Sequence, residues 1–127
     1  MDYMKIMEME PIDLISWLNK NFLVQMPQHI TSVSDMNQAS ELLMRLSANY
    51  SYLCTLLSYA KVMVRNAKRN KPKSEYEDLV DRKEIIQNIT DAVKQEYSAI
   101  SRAVTIRIEN NAELRMNTSG YIKGAAS

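Results

Sequence analysis

From Ala39 the chain carries an apolar residue at alternating steps of four and three: Leu43, Leu46, Tyr50, Leu53, Leu57, Ala60, Val64 and Ala67. Four unbroken heptads of this kind form a coiled-coil seam and fit no strand, whose period is two. Asp35 followed by Gln38 reads as a capping box at the start, so a helix is expected from residue 35 to about 69, roughly 50 Å at 1.5 Å per residue. "NKPKS" then breaks it, because the residue before Pro72 is pushed away from helical geometry. Ser74 with Glu77 reads as a second capping box. Leu79, Ile86, Val93, Tyr97, Ile100 and Val104 mark the seam of another helix, expected to pass Leu114 and stop before Gly120. So short a break between two such helices implies an antiparallel hairpin.

Two glycines and three prolines in 127 residues agree with this, since all-β folds and phosphate-cradling loops need many residues suited to tight turns. The expected fold is all-α: a short N-terminal helix followed by a long, coiled-coil-type helical hairpin. Residues 1–34 form an N-terminal segment, with a helix over about 11–22 started by Pro11 at its first position and a loop after it. Residues 35–116 form the hairpin, with its turn near 70–74, and residues 117–127 a flexible tail. "MDYMKIMEME" reads as a mobile apolar contact segment or a set of successive translation starts.

Each long helix carries a second apolar stripe. On the first it is Leu42, Tyr52, Leu56, Tyr59 and Met63; on the second it is Ile85, Ile89, Ala92, Ala99, Ala103 and Ile106. Apolar patches beyond a few hundred Å² are rarely left in water, and a short N-terminal helix is not expected to cover both. Self-association follows as the expectation, with a homodimer making a four-helix bundle. The longer second arm should also overhang the first over residues 105–116, with packing of residues 11–22 against that overhang as the favoured way to cover it.

The formal charge of +1 hides a blocked distribution. Residues 61–73 hold Lys61, Arg65, Lys68, Arg69, Lys71 and Lys73 and no acid, while Glu75, Glu77, Asp78, Asp81 and Glu84 follow directly. Cations at one helix C-terminus and anions at the next N-terminus are each favoured by the helix dipole by about 0.3–1 kcal/mol. A complementary, interleaved hairpin end therefore accounts for the block without a ligand. The competing account is an anion site, to which Arg102, Arg107 and Arg115 of the second arm could add.

No catalytic constellation is visible. His29 stands alone in "MPQHIT", and Cys54 lies beside the seam, away from anything that would depress its pKa. With one cysteine there is no internal disulfide and no cysteine cluster for a metal. Glycine-rich loops, nucleophile elbows and zinc spacings are absent. No cofactor, no metal and no enzymatic activity are expected. No secretory leader or membrane-length apolar run is present, so the expected setting is the cytoplasm.

"YAKVMVRNAKRN" and "YEDLVDRKEIIQNITDAVKQEYSAISRAVTIRIENNAELRM" together resemble small helical-hairpin proteins from the early recombination or counter-defence regions of phages and prophages. The resemblance covers about residues 50–116. It implies a phage or prophage origin, with the host cytoplasm as the setting, rather than an activity. With no catalytic constellation, the expected function is binding, foremost as an inhibitor or adaptor docking on a host protein such as a nucleic-acid-targeting defence factor. The alternatives are a nucleic-acid-binding accessory of phage recombination or replication, a structural assembly subunit, or a sponge for an anionic nucleotide signal.

Overall fold

The computed structural model describes residues 2–24 and 33–126, with side chains for all of these except 33, 34, 111 and 114–126. Four helices follow in order: α1 (Tyr3–Glu8), α2 (Pro11–Phe22), α3 (Val33–Asn70) and α4 (Lys73–Ala126). The last two pack against each other along their length as the antiparallel hairpin. Its turn is only Lys71 and Pro72. The Lys71 amide closes α3 on the Ala67 carbonyl at 2.9 Å, and the Pro72 carbonyl takes the first bond of α4 from the Tyr76 amide at 3.1 Å. Pro72, with no amide to lose, thus stands just outside the helix, where proline is tolerated. Ser74 lies inside α4, so it is not the cap; Asp35 likewise sits in the first turn of α3, which starts at Val33.

The seam residues form the core. Ala39, Leu46, Leu53, Leu57, Ala60 and Ala67 of α3 and Ile86, Val93 and Ile100 of α4 are buried. Tyr97 departs from the expected seam: it is exposed and lines a shallow groove with Leu43, Met44, Ser47, Ala48 and Ser51. A straight α-helix drifts by about 20° per heptad against a strict seven-residue repeat. Tyr97, four residues beyond the buried Val93, therefore turns to the rim.

The N-terminal segment is more ordered than expected. Asp2 caps α1 by accepting the Met4 amide at 3.3 Å, and Ile6 and Met7 are buried. Glu10 and Pro11 open α2, whose spacing buries Leu14, Leu18 and Phe22 on one side. Both helices lie across the middle of the hairpin rather than on the overhang. The Met9 carbonyl accepts from Arg82 Nε at 2.9 Å, the Phe22 carbonyl accepts from Asn49 Nδ2 at 3.0 Å, and the Val24 amide donates to Glu96 at 3.1 Å. So α2 runs parallel to α4 beside residues 82–96, and Ile106 and Ile108 remain 49% and 54% exposed. The expected packing of residues 11–22 on residues 105–116 is not what forms.

The arm meets the second stripes instead, at Tyr52 and Tyr59. Leu56 and Ile89 are buried, at 0% and 9% exposure. Leu42, Tyr52, Tyr59, Met63 and Ile85 pack on the same core. Tyr3 meets Tyr52 edge-on at 5.7 Å and Tyr59 at 5.4 Å, and Phe22 stacks on Tyr52 at 5.2 Å. These seven residues thus contribute to the packing of a single chain, and five of them stay half-buried. Of the other residues expected at a dimer interface, Ala103 is half-buried and Ala99 and Ile106 are exposed.

α4 has 54 residues against 38 in α3 and therefore outruns it by sixteen, about 24 Å at 1.5 Å per residue. Gly120 sits within it rather than ending it; an isolated glycine costs a helix about 1 kcal/mol, which does not oblige it to stop. Helix replaces the tail expected over 117–127 as far as Ala126.

Candidate functional site: the uncovered face of the hairpin

Among the described residues, α1 and α2 lie on one side of the hairpin, its back, and no described helix packs on the other, its front. Arg82, Glu96 and Asn49 hold the arm in place through the bonds given above. The Arg82 guanidinium also reaches the Asp78 carbonyl at 2.9 Å, so one half-buried side chain joins the α1–α2 junction to the start of α4. These three clamps are absent from the sequence-based set of candidates, because nothing in the sequence distinguishes them from surface polar residues. Among the described residues no buried side-chain polar atom lacks a partner. Thr90, the one buried polar side chain among the described residues, bonds the Ile86 carbonyl at 2.7 Å.

Lys61, Arg65, Lys68, Arg69, Lys71 and Lys73 are all exposed. Lys73 pairs with Glu77 at 3.9 Å, one turn along the same helix, a fully solvated contact worth under about 1 kcal/mol. Among the described residues the other five form no ion pair. The expected interleaving of acids and bases across the hairpin end is therefore not made. The cations remain favoured by the C-terminus of α3, but their charge is not used up by cross-helix contacts. Arg102 is exposed and lies about 45 Å from the turn along α4 at 1.5 Å per residue, on the wall of two shallow grooves. Arg107 is half-buried and has a partner of its own. The side chain of Arg115 lies outside those described. The structure does not bring these three arginines to the basic end.

Two tyrosines titrate abnormally. A hydrogen bond with Cys54 holds the Tyr50 phenol above its usual value of 10.0, aided by the charge of Cys54, burial and Asp91. Burial pushes Tyr52 upward, with a smaller contribution from Tyr3. Cys54 is half-buried and engaged with Tyr50. Among the described residues no three His, Cys, Asp or Glu side chains lie close enough to hold a metal ion, and no helix is long and apolar enough to cross a membrane. His29 falls outside the described residues.

No family model, no curated protein and no solved structure matches the chain.

Proposed function

We propose that this protein is a non-catalytic nucleic-acid-binding protein that uses the basic end of its hairpin. The observation that carries this is the set of five exposed cations, Lys61, Arg65, Lys68, Arg69 and Lys71, with no ion pair among the described residues. A phosphate backbone would release counterions on meeting them, the main source of affinity in such contacts. An accessory of phage recombination or replication in the host cytoplasm is the setting that the likeness of residues 50–116 to phage hairpin proteins suggests. Docking on a host protein was the foremost expectation, with the second apolar stripes, the overhang or the charged tip as its face; of these, the stripes are partly taken up by α1 and α2, at Tyr52 and Tyr59. It stays as a second proposal because Met44, Ile106 and Ile108 are exposed at the other end of the hairpin. A homodimer would use the exposed Ala99 and Ile106 beside half-buried stripe residues such as Tyr52, Tyr59, Met63 and Ala103.

The test is fluorescence anisotropy of labelled single- and double-stranded oligonucleotides at about 50 and 200 mM salt. Five phosphate contacts predict a loss of roughly five-hundredfold between the two, and replacing Lys68, Arg69, Lys71 and Lys73 by Ala should abolish most of the binding. Absence of binding at the lower salt would overturn the assignment in favour of a protein partner.

A further inference from the structure

We infer that the nucleic-acid site extends beyond the hairpin end along the uncovered front, where Lys83 and Lys94 of α4 join Lys61, Arg65 and Lys68 of α3 in one basic track about 30 Å long. This rests on the nucleic-acid assignment above and adds to it a path and two residues that the local sequence does not single out.

Helix geometry gives the path. Residues seven apart lie on nearly the same side of an α-helix, with a drift of about 20° per heptad. The groove shared by Met44, Ser47, Ser51 and Tyr97 marks the front, just as the contacts of Asn49, Tyr52 and Tyr59 with the arm mark the back. Extending the front positions by heptads gives two rows on α3, Ser47–Cys54–Lys61–Lys68 and Met44–Ser51–Ser58–Arg65. The matching rows on α4 are Tyr76–Lys83–Thr90–Tyr97, which turns inward at the buried Thr90, and, beside it, Val80–Gln87–Lys94–Ser101.

These four rows contain five cations and no carboxylate. Glu77, Glu84 and Asp91 of α4 form the bordering row; Asp91 accepts from Gln87 at 3.1 Å and lines one groove with Lys94. A strand on the front would therefore sit toward α3. Counting outward from the turn at Lys71 and Pro72, Lys83 comes level with about Lys61. The two ammonium groups thus belong to the same level of the front, and neither they nor Lys94 form an ion pair among the described residues. Bringing like charges together without a counter-charge is unfavourable, and a phosphate between them reverses the sign of that interaction. Lys83 is half-buried and Lys94 exposed, as expected for lysine stems lying along a helix with their charges in water. From Lys68 to the level of Lys94 the track could follow about nine phosphates of one strand at the duplex spacing of 3.4 Å.

The test compares the full-length wild type with K83Q/K94Q and with K5Q/K20Q, whose lysines are exposed on α1 and α2 at the back. Each is titrated against single- and double-stranded oligonucleotides across the same salt range, with thermal unfolding as the check on folding. Losing two phosphate contacts should lower the slope of log affinity against log salt by about 1.4 for single strands or 1.8 for duplex. K5Q/K20Q should leave it unchanged. Wild-type binding with an unaltered slope in K83Q/K94Q would confine the site to the hairpin end and overturn this inference alone. Failure of the wild type to bind either form would instead remove the assignment on which it rests.

Discussion

At its middle level the hairpin presents Leu56 and Ile89 on the back, beneath α1 and α2, and Ser51, Cys54 and Ser58 on the front, where no described helix lies. Both faces belong to the same two helices, so propensity cannot account for the difference; the side chains at each heptad position do. The back is apolar and must be covered, at roughly 25 cal/mol for each Å² removed from water. The front is mixed: Leu43, Met44 and Tyr97 line its groove beside Ser47 and Ser51, and exposed lysine and arginine take over toward the turn. A chain that supplies its own cover for one face leaves the other free for a partner, and toward the turn that partner must suit cations rather than leucines.

The comparison can be broken most forcefully in the core. Leu56→Ala should cost about 2–5 kcal/mol of stability, whereas Ser51→Ala on the front should change it by no more than about 0.5 kcal/mol. Urea denaturation measures both, and equal effects would mean that the two faces are not covered differently. Neighbouring residues give a finer version. Arg82→Ala removes charged hydrogen bonds to the Met9 and Asp78 carbonyls and should cost about 1.5–3 kcal/mol. Lys83→Ala, one residue further on, should barely alter stability and should instead weaken binding.

The smallest expected effect is on pH dependence. The phenols of Tyr50 and Tyr52 are raised from 10.0 in the folded chain, so the folded state keeps those protons longer than the unfolded state does. Their contribution is fully present below about pH 10 and is lost as pH rises from there through the folded values. Thermal unfolding between about pH 9 and 11 should show the decline, and Y50F/Y52F should flatten it. No difference between variant and wild type would remove these phenols from the account.

The hairpin was legible because its evidence is local and repetitive: the unbroken seam from Ala39 to Ala67, Pro72 at the turn and Pro11 at the start of α2. The N-terminal arm was only half legible. α1 has six residues, too few for a helical period to stand out among the methionines. An apolar stripe such as Leu42 to Met63 states that it must be covered, not which segment will do it, and that is decided by tertiary packing. The clamps at Arg82, Asn49 and Glu96 act on backbone groups about 27 to 73 residues away, a relation that no local pattern expresses. Lys61 to Lys73 stood out as a run. Lys83 and Lys94 did not, because each lies among acids in sequence and joins the other cations only when the helices are read by heptad rows.

The most direct test of the two-faced account is lysine-selective chemical labelling of the wild-type protein, with and without a saturating oligonucleotide, read by mass spectrometry at each lysine. The account predicts protection of Lys61, Lys68, Lys83 and Lys94 on the front, with Lys5 and Lys20 on the back labelled as before. Protection of Lys5 and Lys20, or equal protection of every lysine, would contradict it.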